Sequence, residues 1–374
     1  MAQAIFYISA GLLLYAYAIY PAMLAMLTAG RSEADAEGPN AAAAPSVSVI
    51  VAAYNESRVI GEKIANFLES EYSGSAEMIV ISDGSTDRTA EIAEPFASSG
   101  RIRVIRQPER RGKGAAINAG ASAASGEILV FTDANAMFQP GAISALARPF
   151  GNANIGLVTG ISRYPDGTIG SVYQRYEQML KTLESRLGSI AAADGAIYAM
   201  RKSLFIAMDP ALINDFLHPI LVSLKGTDSV MTSEAICTED FSAGGEFARQ
   251  VRMVSQAAMV YFRFLPRLVR KERWRSVAVL TSHKMLRWLT APLVAMAVLS
   301  TLVLAPRGGI YAAALIAEVL FAAAAMAGRN SNGTGLVSKL SFAYQFVALN
   351  CAQAIGLWRC FTGQVPVVWE PRNL

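Results

Sequence analysis

The sequence predicts an α/β protein: an open, mostly parallel sheet with helices on both faces, joined to α-helical membrane segments. Two observations carry this reading. Between residues 46 and 136, short β-branched runs alternate with helically spaced apolar residues, and each run ends in polar residues. Outside that region lie long stretches with almost no charge. Of 374 residues 53% are hydrophobic, and a mean hydropathy of +0.33 is high for a soluble protein of two domains. The net charge of +4 is modest and gives no reason to expect a nucleic-acid partner. Cys237, Cys351 and Cys360 have neither metal-ligand spacing nor an even count, and read as reduced packing residues.

Taken in order, residues 1–30 carry no charged side chain and are long enough to cross a bilayer, which needs about 20 apolar residues. A cleaved signal peptide is the alternative, but Met1-Ala2-Gln3 offers no basic start. Residues 31–45, RSEADAEGPNAAAAP, read as a linker. SVSVIVAAYNE, 46–56, is a strand ending in Tyr54-Asn55-Glu56, followed by a helix with Val59, Ile60, Ile64, Phe67 and Leu68 on one face. A second strand, 78–81, ends in Asp83, Gly84, Ser85 and Asp87, with Ser85 or Thr86 expected to cap the next helix. A third, 103–105, leads into the glycine-rich RRGKGAAINAG and then into ILVFTDANA, 128–136.

That last stretch is a strand delivering Asp133 and Asn135 at its carboxyl end, where open α/β sheets bind ligands. Oxygen ligands two residues apart suit a hard divalent cation able to hold a diphosphate. On its own the tripeptide reads as a turn or helix cap. Its neighbours give it weight, because polar residues collect at the ends of several strands. The loop with Lys113 is not a Walker A motif, since glycine follows the lysine, and no GxGxxG opens a helix after the first strand. GGEF at 244–247 is a residue short of a cyclic-dinucleotide synthase signature.

AAYNE, SDGSTD, RGKGAAINAG and FTDANA, in this order and spacing, resemble the nucleotide-binding half of family 2 glycosyltransferases, the group of cellulose, chitin, hyaluronan and poly-N-acetylglucosamine synthases. The resemblance implies a GT-A fold, a nucleotide-sugar donor, Mg2+ or Mn2+, and inversion at the anomeric carbon. It also implies that Tyr54 and Glu56 contact the nucleoside, Asp83 the uracil and Lys113 the phosphates, with Asp133 and Asn135 as the metal motif. An amide at Asn135 can ligate but brings no charge.

Inversion needs a general base opposite the leaving group. Thr238-Glu239-Asp240 spells the family's TED, but it follows an extended stretch and precedes a glycine loop. Asp215 better fits a helix start, with FLHPILVSLKG after it and a further strand beyond, and a helix N-terminus favours an ionised acid. Asp215 is therefore the expected base, with Asp240 the alternative. The family's QxxRW segment then reads RQVRM, keeping Arg252 for donor binding and losing the tryptophan. Asp194-Gly195 matches a pair near the acceptor in similar synthases, the other reading being a packed strand and turn. Residues 174–186 read as a helix with Tyr176, Met179, Leu180 and Leu183 inward, and Arg201 and Lys202 as a solvated face. His218 and His283 are isolated and assigned to no metal.

Residues 261–288 interleave arginine and lysine with Phe262, Phe264, Trp274 and Trp288, as interfacial helices on an anionic leaflet do. Apolar segments follow at 289–305, 310–327 and 340–358, the first two short and containing Pro292 and Glu318. The expected organisation is a transmembrane helix (1–30), a linker (31–45), a GT-A domain (46–260), basic helices (261–288), membrane segments (289–361) and a tail (362–374), with the catalytic domain cytosolic by charge bias. The first functional reading is an inverting synthase of a bacterial inner membrane that extends a β-linked polysaccharide from a UDP-sugar, glucose or N-acetylglucosamine. The alternatives are single-sugar transfer to a lipid or lipid-linked acceptor, and a non-catalytic membrane subunit.

Overall fold

The structure, a computed structural model, describes residues 1–32, 44–163, 171–239, 245–329 and 336–365. The chain forms two units, one of residues Thr28–Ala243, Met259–Val279 and Pro366–Leu374, the other of Met1–Leu27, Gly244–Ala258 and Leu280–Val365.

The first unit is built on one sheet. In chain order it contains β1 (Val47–Ala53), α1 (Ile60–Leu68), β2 (Ala76–Asp83), α2 (Thr89–Ala93), β3 (Ile102–Gln107), α3 (Lys113–Ala123), β4 (Ile128–Asp133), β5 (Ala136–Phe138), α4 (Ala142–Ala147), β6 (Ile155–Arg163), α5 (Ser171–Ser185), β7 (Tyr198–Arg201), α6 (Asn214–Leu224) and β8 (Asp228–Glu239). The eight strands run in the order β3-β2-β1-β4-β7-β6-β8-β5. β1, β2, β3 and β4 are mutually parallel, β6 is parallel to β8, and β7 runs antiparallel between β4 and β6. β1 and β4 are buried along nearly their whole length, as continuous apolar runs covered on both faces must be. Ala52 of β1 pairs with Asp133 of β4, and Ala53 pairs with Ser82 of β2, so the polar residues after these strands emerge along one edge.

Several local expectations change. Ser85 and Thr86 do not cap α2. Asp87 accepts from the Thr89 backbone N–H at 2.9 Å, while Ser85 and Thr86 bond to Asn55. In α5, Leu180 is buried as expected but Met179 is exposed, and Glu184 is buried, accepting from the Ala191 N–H at 3.1 Å. Arg201 and Lys202 are not a solvated face: Arg201 donates to the carbonyls of Phe150, Asn152 and Ile155, and Lys202 to that of Ala124. Both bind the ends of neighbouring segments to β7, whose four residues make it the shortest strand of the sheet's centre.

The other unit is helical. Ala2–Leu27, Thr290–Arg307 and Ile310–Gly328 are long and apolar enough to cross a membrane, by length and composition. The first makes a π turn at Tyr15–Ile19 just before Pro21, whose missing N–H breaks the regular bonding pattern. Leu299, Val303, Ile316, Leu320 and Met326 are exposed on these helices. Polar bonds instead join helices to one another: Tyr17 to Thr290 at 2.9 Å, and Thr301 Oγ1 donating to Glu318 at 3.2 Å. Leu336–Phe361 is a fourth long helix, containing Gln345, Asn350 and Gln353, and is not one of the three. The basic region contributes one 25-residue helix, α7 (Glu246–Arg270), which contains Pro266.

Candidate active site

The loop after β1 is fastened to the loop after β2. Asn55 sits at φ 55°, a left-handed conformation asparagine tolerates, and its Oδ1 accepts from the Thr86 N–H at 2.9 Å. The Glu56 N–H donates to Thr89 Oγ1 at 2.9 Å and the Ser57 N–H to Asp87 at 3.0 Å. Burial works to raise the Asp87 carboxyl, but hydrogen bonds from Thr89 and Ser57 outweigh it and hold it below its ordinary value. The second half of SDGSTD therefore fixes the loop after β1. The Arg110 guanidinium lies 3.8 Å above the Tyr54 ring centre.

Asp83 is buried, and its carboxylate holds the glycine-rich loop: Oδ1 accepts from the Arg111 N–H and Oδ2 from the Gly112 N–H, both at 2.8 Å. Gly112 has φ 91° and Gly84 φ 65°, and a side chain on Gly84 would strike the backbone of Arg110. This packing delivers Lys113 at the start of α3, with Nζ 2.5 Å from Asp133 Oδ1. Asp133 and Asn135 are both partly exposed, with buried Ala134 between them. Among the described residues no three His, Cys, Asp or Glu side chains converge as a metal cage. One carboxylate and one amide oxygen suit Mg2+ or Mn2+ completed by water and diphosphate oxygens, so these residues fit such an ion.

Asp215 lies in the first turn of α6. Its backbone carbonyl accepts from the Ala193 N–H at 2.9 Å, and a Cβ built on Gly195 would lie 2.9 Å from its Oδ2. Oδ1 is buried with no hydrogen-bond partner. Burial raises the Asp215 carboxyl above its ordinary value; Lys113 and Lys181 oppose this, while Asp133 and Asp194 add to it. The same charges place Asp215 in the electrostatic field of the Lys113–Asp133 pair. A desolvated carboxylate with a free oxygen and raised basicity is suited to removing a proton.

Asp194 is held by the fold. Its Oδ2 accepts from the N–H and hydroxyl of Ser162, at 3.0 and 2.8 Å, and its own N–H donates to Thr159 at 2.8 Å. Gly195, beside it, is what faces Asp215. Arg252 lies on the part of α7 that belongs to the helical unit, with Nη1 3.4 Å from Gln256 Oε1. Asp240 lies outside the described residues. Glu56 is partly exposed at the start of the helix-forming segment. The sequence reading missed a network under Asp215: Asn214 donates to Tyr198 Oη at 2.6 Å, and Tyr198 lies 2.9 Å from His218 Nδ1. Burial lowers His218 to about 3, so the ring is neutral among Phe131, Tyr198 and Phe205. The only sequence signal for it was a histidine on an otherwise apolar helix face.

A mostly parallel sheet bearing a lysine and an acid-amide pair at its carboxyl edge, with a second acid at a nearby helix start, has the form of a GT-A fold. Residues 48–207 match the family described as Glycosyl transferase family 2. It is 30% identical over 164 residues to a poly-beta-1,6-N-acetyl-D-glucosamine synthase of Staphylococcus epidermidis, a match covering 42% of this chain and 40% of that protein. It is also 30% identical over 145 residues to a dolichol-phosphate mannosyltransferase of Pyrococcus furiosus, covering 39% of this chain and 41% of that one. The chain thus spans about two fifths of the length of these curated relatives. The fold is similar to that of a mannosyltransferase of Pyrobaculum calidifontis solved with GDP-Man and Mn2+, at TM-score 0.74 and 19% identity, over 97% of this chain and 100% of that one.

Proposed function

We propose that the protein is a membrane-bound, inverting glycosyltransferase that transfers a sugar from a UDP-sugar, glucose or N-acetylglucosamine, to a growing β-linked polysaccharide, with Asp215 as general base. The observation that carries it is the Lys113–Asp133 pair, a cation to meet the diphosphate beside an acid at the metal position, together with Asp215, a buried acid beside Gly195 with one unpartnered oxygen. Mg2+ or Mn2+ held by Asp133 and Asn135 would offset the charge that develops on the leaving diphosphate. Lys113 adds a second positive group on the same side. Tyr54, Glu56 and Asp83 line or support the nucleoside pocket, and Asp215 takes the acceptor hydroxyl proton as the glycosidic bond forms.

The poly-N-acetylglucosamine synthase among the relatives supports a polysaccharide acceptor. A second reading, one sugar added to a lipid-linked acceptor, is supported by the dolichol-phosphate relative and by RQVRM, which lacks the tryptophan of processive synthases. The three apolar helices support an integral membrane protein. Purified full-length protein incubated with a panel of UDP-sugars tests the proposal: UDP release with one of them supports it, and a product of many sugars rather than one separates the two acceptor readings. Release from none of them would leave a binding subunit in its place.

A further inference from the structure

Lys63 is fully buried in α1, and no step of the proposed reaction uses it. Burial lowers it to about 7, against the pull of Cys237, Asp133 and Glu239. A lysine withdrawn from water must recover its hydrogen bonds inside the protein. Here Nζ donates to Thr132 Oγ1 at 3.1 Å and to the Ala136 carbonyl, and it stands 3.7 Å over the Phe138 ring. Thr132 and Ala136 are the residues immediately outside Asp133-Ala134-Asn135. One turn further along α1, Asn66 donates to the Phe138 carbonyl at 2.9 Å and accepts from its N–H at 2.8 Å. The same helix starts on the nucleoside loop, where the Ile60 N–H bonds the Glu56 carbonyl at 3.0 Å.

We propose that Lys63 is a positioning residue for the cation: by bridging Thr132 and Ala136 it closes the Asp133–Asn135 turn and fixes the separation of its two ligand side chains. The inference rests on the reading of Asp133 and Asn135 as metal ligands given above. Lys63 bonds the residues on either side of them, the Thr132 hydroxyl and the Ala136 carbonyl, and so acts on the turn that carries them, with Asn66 securing the strand beyond. A turn of three residues bonded at both ends by one buried group has little freedom to spread, so the ligand oxygens are preorganised.

The test uses full-length protein in detergent and measures Mn2+ affinity by electron paramagnetic resonance with UDP present, UDP affinity in EDTA, and thermal unfolding. Lys63→Met keeps the chain length and removes the ammonium; Thr132→Val keeps the shape and removes one partner. Loss of a group supporting metal ligands typically weakens binding about 10- to 100-fold. Lys63→Met is expected to weaken Mn2+ by that factor with UDP affinity in EDTA unchanged, and Thr132→Val to shift Mn2+ affinity less, in the same direction. Unchanged Mn2+ affinity in the variants, or equal loss of Mn2+ and of EDTA-insensitive UDP binding, overturns the role. If Lys63→Met does not fold, Thr132→Val decides. Absence of cation-dependent UDP binding in the wild-type protein would instead overturn the parent reading.

Discussion

Gly195 approaches Asp215 so closely that a methyl group on its Cα would lie 2.9 Å from Oδ2 of that carboxylate. The position has no side chain, which leaves room for the carboxylate proposed as the base. Gly195→Ala should therefore displace the carboxylate while leaving the nucleoside loops untouched. A shift of about 1 Å in a reacting group can lower a rate by about 10²-fold. The expected result is transfer reduced up to that factor with UDP affinity unchanged. Equal loss of both would place Gly195 in the donor site.

Asp215 also carries a stability consequence. Its carboxyl is raised in the folded protein, chiefly by burial, so at neutral pH the ionised form is less favourable folded than unfolded. Asp215→Asn should raise the unfolding temperature at pH 7. The gain should vanish as the pH falls below the unfolded value of about 3.9, where the wild-type acid is protonated in both states. Thermal unfolding of both proteins across this range checks the sign. A variant less stable at pH 7 would show that the carboxylate is a net stabilising group.

Asn135→Asp supplies a second carboxylate where the chain has an amide. Mn2+ should bind more tightly in the presence of UDP, as measured by titration. Weaker binding would mean that a second charge beside Asp133 repels more than the ion offsets, or that Asn135 is not a ligand.

Asp83→Asn replaces one of two acceptors facing the backbone N–H groups of Arg111 and Gly112 with a donor. An unsatisfied buried polar group costs about 1–3 kcal/mol. Denaturant unfolding should register a loss of that size. If UDP binding falls with no loss of stability, Asp83 acts on the nucleoside directly rather than through the loop.

The strand-loop-helix units at residues 46–136 were legible because apolar runs buried on both faces leave a continuous signal, and their polar ends carry the motifs. The helix at Asp215 was legible for the same reason, from an apolar face after an acid. What escaped reading depends on distant partners. Lys63 lies on the apolar face of its helix, three residues after Ile60 and four before Phe67, but the sequence offers no partner for its charge, and only the turn after β4 supplies one. Arg201 and Lys202 looked solvated because their acceptors are backbone carbonyls of other segments, which leave no trace in side-chain pattern. Ser85 and Thr86 have cap chemistry, but the neighbouring loop at Asn55 claims them. Asp194 reads from the sequence either as an acceptor contact or as part of a packed strand and turn, and its bonds to Ser162 accord with the second.

The most direct test of the central claim is UDP release from UDP-sugars by the wild-type protein and Asp215→Asn, with Mn2+ and in EDTA, UDP affinity being measured alongside. The account predicts turnover by the wild type only with the cation. It predicts a loss of about 10²- to 10⁴-fold in Asp215→Asn, the usual range for a general base, with UDP bound as tightly as before. Turnover by Asp215→Asn at the wild-type rate, or abolished instead by Asp240→Asn, would contradict it.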